Sequence, residues 1–132
     1  MTVTTPVAVK QARLDAISTV WGLTPKLRLY SGTMPTDVNT SLSGNTVLAE
    51  CTPAPAAAAA GPPTTKDMLG GTKTVSASAA GTATFYRVYD SGGTVPKEQG
   101  TVGTSGQDLI IDNTVIAAAQ TVNFNTFVKT EP

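Results

Sequence analysis

The sequence predicts an all-β fold, an antiparallel β-sandwich or small barrel with one N-terminal helix. Three observations point there. Threonine, alanine and glycine are abundant while Glu, Lys, Gln and Leu are sparse, a balance that favours strands over helices. From Pro25 onward the apolar residues alternate with a strand period instead of a helical one. Glycine turns punctuate the C-terminal half at near-regular spacing, the pattern of a sandwich or barrel of about six to eight short strands. At 132 residues the chain reads as one domain, 1–132, long enough to bury a core without disulfide or metal staples.

The stretch 6–21 reads as the helix. Thr5 is a candidate N-cap, Pro6 suits the first helical position and Gly22 is a C-terminal stop. Leu14, Ile17 and Trp21 recur at helical spacing with Val20 beside them, a stripe suited to packing on the domain or on a neighbouring subunit. In KLRLYSG, Leu27 and Leu29 point one way and Lys26, Arg28 and Tyr30 the other, and SGTMP closes this first strand. After the polar loop TDVNTSLSGN, TVLAECT forms a second strand. The segment TPAPAAAAAGPP, residues 52–63, follows. Its prolines exclude a regular helix across its ends and favour an extended loop or arm, open to solvent or laid on another chain.

Beyond it, TKTVSASAAGTATFYRVYD offers two strands, DSGGT a turn, QGTVGTSGQDLIIDN two more strands about GTSGQ, and QTVNFNTFVKT a closing strand. Strand 82–90 has large side chains on both faces: Ala83, Phe85, Arg87 and Tyr89 on one, Thr84, Tyr86 and Val88 on the other. The expected core is Leu27, Leu29, Phe85, Leu109, Ile111 and Phe124. Tyr30, Tyr86, Val88, Ile110 and Phe127 fall on the opposite face and are the candidate interface residues. Either the helix and the Ala/Pro loop cover that face, or a subunit or partner does.

Nothing in the sequence assembles a common catalytic apparatus. There is no histidine, which removes the usual base for a serine or cysteine nucleophile and the commonest zinc ligand. Ser105 in GTSGQ lacks the spacing of a nucleophile elbow, and LGGTK and DSGGT lack that of a phosphate-binding loop. Asp90, Asp108 and Asp112 stand at strand ends without calcium-loop or glycosidase spacing, as turn residues do. The expectation is no enzyme, no cofactor and no metal. Nine basic residues balance nine acidic ones, which provides no field for nucleic acid or an anionic membrane. No window is apolar enough to span a bilayer and the N-terminus lacks the order of a secretion signal. The lone Cys51 reads as a small buried thiol.

The helix KQARLDAIS, the strand KLRLYSGTMP, then GTATFYRVYDSGGT and GTVGTSGQDLIIDNTVIAAAQTVNFNTF together resemble small virion structural proteins of tailed bacteriophages. The likeness covers most of the chain outside the Ala/Pro segment. It implies a capsid decoration, or cement, protein that binds the outside of the shell. It further implies the major capsid protein or other virion proteins as partners, a homo-oligomer, expected as a trimer, and a virion location after synthesis in the host bacterial cytoplasm. A tail, neck or fibre-base component is the alternative. A carbohydrate-binding module is the outside option, disfavoured because Trp21 belongs to the helix and no other tryptophan offers a sugar platform.

Overall fold

The computed structural model describes residues 6–60 and 64–131. The candidate N-cap Thr5 and the prolines 62 and 63 lie outside the described residues. The helix α1 (Val7–Trp21) is followed by β1 (Lys26–Ser31), β2 (Val47–Cys51), β3 (Thr64–Asp67), β4 (Lys73–Ser76) and β5 (Gly81–Tyr89). Then come β6 (Pro96–Gly103), β7 (Leu109–Ile111), β8 (Val115–Ile116), β9 (Thr121–Thr126) and β10 (Val128–Glu131). The fold is all-β with one helix, as expected; short added strands such as β3 and β8 bring the number of strands above the expected range.

Pro6 stands one position earlier than its sequence suggested, at the N-cap with φ −60° and ψ 151°. Its carbonyl accepts the Val9 and Lys10 N–H groups at 3.0 and 3.2 Å, so the fixed ring aims the chain into the helix from outside it. At the other end Gly22 takes φ 94° and donates its N–H to the Ser18 carbonyl at 3.3 Å.

The main sheet runs β2-β1-β5-β6-β7-β9-β4, with β8 attached to β5, and β3 and β10 form a separate pair. Its two edge strands meet. Just past β4, the Ser78 N–H donates to the Leu48 carbonyl in β2 at 2.8 Å, so the sheet curls into a nearly closed barrel and protects its edges.

Two expected hairpins do not form. Strands β4 and β5 are consecutive, yet β4 pairs with β9, Val75 opposite Val122, and β5 lies between β1 and β6. The GTSGQ turn joins β6 and β7 as parallel neighbours, Val102 opposite Leu109 and Gly103 opposite Ile110, so the sheet is not purely antiparallel. Parallel neighbours ordinarily need a long crossover. Here the chain circles back at once: the Asp108 carboxylate accepts both the Thr101 N–H and the Thr101 hydroxyl at 3.0 Å, and Gly106 provides a positive φ of 73°. The expected closing strand breaks at Phe127 into β9 and β10.

Leu27, Leu29, Leu109, Ile111 and Phe124 are in the main core, with Trp21, Tyr86, Val88 and Phe127 among their neighbours. Phe85 is not. It forms a second cluster with Tyr30 and Tyr89 on the outer face of β1 and β5, against Met34, Leu42 and Val47. The cause is register: Leu29 pairs with Tyr86, Leu27 with Val88 and Tyr30 with Phe85, and residues directly opposite share a face.

Candidate functional site

The five residues expected to form a contact face do not form one. Tyr30, Tyr86, Val88 and Phe127 are 2%, 1%, 0% and 1% exposed, and Ile110 is half-buried on β7. Tyr86 and Phe127 meet edge to face at 4.9 Å, and Trp21 of α1 closes over Phe127 at 5.9 Å. The Tyr86 hydroxyl donates to Glu98 Oε2 at 2.6 Å, which also accepts Lys129 Nζ at 2.7 Å. On the other face Tyr30 stacks on Phe85 at 5.2 Å, and its hydroxyl bonds to that of Tyr89 at 3.1 Å.

Residues 32–46, the polar loop between β1 and β2, cover the face of Tyr30, Phe85 and Tyr89, while the helix covers Tyr86 and Phe127 through Trp21, as one of the two expectations had it. Arg87, buried beneath the loop, holds it by donating Nε to Gln99 Oε1 at 3.0 Å and Nη2 to the Thr40 and Asp37 carbonyls at 2.7 and 3.4 Å. Gln99 in turn donates to the Pro35 carbonyl at 2.7 Å. A second apolar face thus finds its cover within the chain.

The described part of the Ala/Pro segment keeps one side open to solvent as expected, at Ala54, Ala56, Ala57, Ala59 and Ala60, but it is docked along its other side and not a free arm. The N–H groups of Ala54, Ala56 and Ala59 donate to the carbonyls of Leu69, Asp67 and Thr65 at 3.0, 2.9 and 2.7 Å. Pro53 and Pro55 occupy the alternate positions, where no ladder donor is needed. Gly70 permits the approach. It has φ 72°, and a Cβ there would stand 2.0 Å from the Ala54 carbonyl oxygen. Asp15 of α1 fastens the segment from the other side by accepting the Ala58 N–H at 2.9 Å and Lys66 Nζ at 2.7 Å. The Lys66 ammonium and the Ala58 N–H hold the Asp15 carboxyl below its ordinary value. Lys66 is itself buried and also donates to the Ala56 carbonyl at 2.6 Å.

The longest run of exposed apolar side chains lies on α1 and just past its end; Val95, Val115 and Val128 are exposed elsewhere. Leu14 and Trp21 face the core. On the opposite side Val9 is 43% and Val20 61% exposed, with exposed Ala12 and Ala16 between them and Leu23, 98% exposed, just past the helix end. At 100° per residue Val9, Ala12, Ala16 and Val20 form one stripe along the helix, and Leu23 stands beyond Gly22, where the helix has ended. Shallow clefts flank it: one of about 320 Å³ between Ala16, Val20 and the Lys97–Glu98 edge of β6, the other of about 550 Å³ between Leu23 and Ala54–Pro55. Val20, which the sequence sets beside the Leu14, Ile17 and Trp21 stripe, points away from it. The helical projection carries the signal, because the apolar residues occupy two opposite faces.

The remaining reactive groups are tied down or isolated. Burial pushes the Cys51 thiol up to about 12, far from a nucleophilic thiolate. Asp90 accepts the Thr94 and Val95 N–H groups at 3.1 and 3.2 Å, which hold its carboxyl low, and Asp112 accepts the N–H and side-chain amide of Asn123. Ser105 stands exposed in the β6–β7 loop. Among the described residues no three His, Cys, Asp or Glu side chains gather as metal ligands, and no helix is long and apolar enough to cross a membrane. Comparison of the chain with protein-family models, with curated proteins and with solved structures finds no match in any of the three.

Proposed function

We propose that this chain is a non-enzymatic structural protein of a phage virion that binds the outer surface of the capsid and stabilises it. The sequence resemblance supplies the setting. The observation that carries the reading is the open apolar stripe Val9–Ala12–Ala16–Val20 on the outer side of α1, with exposed Leu23 just past its end, beside a barrel whose two apolar sheet faces are covered within the chain. A contiguous apolar patch rimmed by polar groups marks a protein contact. The attached helix is braced to the body by Asp15 and Gln11, so the stripe is presented without a large ordering cost. Many copies on a symmetric shell would add modest contacts through effective concentration, and a cyclic cluster such as a trimer multiplies them.

The test adds purified protein to shells that lack it and measures occupancy and resistance to heat. Wild type should fill the shells and raise the temperature at which they open. The V20E/L23E double variant changes only exposed side chains, so its own stability should stay within about 0.5 kcal/mol of wild type. Its affinity for the shell should nevertheless fall roughly tenfold or more, about 1.4 kcal/mol. Equal filling by the variant would remove the helix face from the proposal. Labelled protein found on tails and absent from heads would replace the cement reading with a tail, neck or fibre-base role.

A further inference from the structure

We propose that the space beneath the loop 32–46 is a carboxylate-binding site whose cation is Arg87. This inference is independent of the virion reading. A row of four residues crosses the outer face of the sheet in register: Glu50 on β2, Arg28 on β1, Arg87 on β5 and Gln99 on β6. Glu50 pairs with Arg28. The row therefore holds two guanidinium groups and one carboxylate, with the two cations directly opposite each other.

Arg87 is 3% exposed, and all its acceptors are neutral: the Gln99 side-chain oxygen and the Thr40 and Asp37 carbonyls. Among the described residues it forms no ion pair, and since no buried side-chain nitrogen is left without a hydrogen bond, its Nη1, which the loop does not engage, reaches solvent. The nearby carboxylates are turned to other tasks. Asp37 accepts the Asn39 N–H at 2.7 Å, Asp90 accepts the Thr94 and Val95 N–H groups, and Glu50 is held by Arg28. A buried cation without a counterion is costly, and proteins rarely retain one without use.

Arg87 lines a cavity of about 290 Å³ with Asn39, Thr40, Ser41, Tyr89 and Thr94 among its walls. One uncompensated charge, a planar donor fork and surrounding hydroxyl and amide groups match a planar monoanion better than a phosphate dianion, which calls for several cations. The ligand is a carboxylate, either an Asp or Glu side chain of a neighbouring protein or a small free acid.

The test follows the arginine side-chain Nε–H signals by ¹⁵N-resolved NMR while acetate is added, with sodium chloride at matched ionic strength as the control. A capped Gly-Glu-Gly peptide is titrated in a parallel arm. The Arg87 signal should shift saturably with acetate beyond the chloride response. Tighter binding of the peptide would assign the ligand to a protein side chain, and equal binding would assign it to a small acid. Because Arg87 also anchors the loop, the variant used is Thr94→Glu, at an exposed position on the cavity wall. Its own carboxylate should occupy the site and weaken the acetate response roughly tenfold or more. An ordered Arg87 signal that saturates with neither probe, or an acetate response unchanged in Thr94→Glu, would overturn the proposal and leave Arg87 as a loop anchor alone.

Discussion

Phe85 and Phe124 are both fully buried, but they support different things. Phe124 fills the barrel core, whereas Phe85 backs Tyr30 and the loop above it. Each truncation to Ala should cost about 3–5 kcal/mol in chemical denaturation. Only Phe85→Ala should also shift the NMR signals of Met34 and Leu42, and a loss below about 1 kcal/mol at either site would contradict its burial. The alternation along β5 was legible in the sequence. Which face turned inward was not, because pairing with β1 decides it and a ring as large as Phe85 suits either side. Two buried groups also predict sensitivity to alkali. Burial raises the Cys51 thiol from 9.0 to about 12 and the Tyr30 hydroxyl from 10.0 to about 12. Both are neutral when protonated, and the folded state holds the proton more tightly than the unfolded one. Their contribution is therefore complete below pH 9.0 and is lost as pH rises towards about 12. In that window the Cys51 proton alone should lower stability by up to about 1.4 kcal/mol per pH unit. Urea midpoints measured across the range check this, and Cys51→Ala should flatten part of the slope.

At the scale of elements, the Ala/Pro segment depends on one carboxylate. Asp15→Ala would strand the buried Lys66 ammonium and free the Ala58 N–H, which should cost about 1–3 kcal/mol. Native-state proteolysis should then cut within Ala54–Ala60 faster than in the wild type, where the docked segment should resist cleavage. Acid acts in the same direction: Asp15 stabilises while ionised, and this is lost as pH falls through its lowered value. The prolines correctly announced an extended course. The docking was illegible because its partner, β3, is the short polar run TTKD, with no apolar alternation to mark it as a strand. The parallel β6–β7 pair was hidden for a related reason: GTSGQ reads as a hairpin turn, and the Asp108–Thr101 closure that makes it a full circle is a contact between side chain and backbone. The exposed stripe on α1 is hard to read from the sequence because both sides of this helix carry apolar residues.

At the scale of the whole molecule, strand order is the least sequential property. β1 pairs with β5, β4 with β9, and the seam between β2 and Ser78 closes only when both edges are in place. Refolding should therefore be slow for so small a chain, on the order of milliseconds to seconds. Trp21, the only tryptophan, reports the last step because it packs on Phe127, beyond β9; microsecond recovery of its fluorescence would contradict this order of events. The consequence reaches into synthesis. A ribosome making this chain releases β4 long before β9 exists to pair with it, so a nascent barrel with its seam open must be sheltered until Thr121–Thr126 emerges. A truncation ahead of β9 should bind a chaperone holdase that the full-length chain escapes.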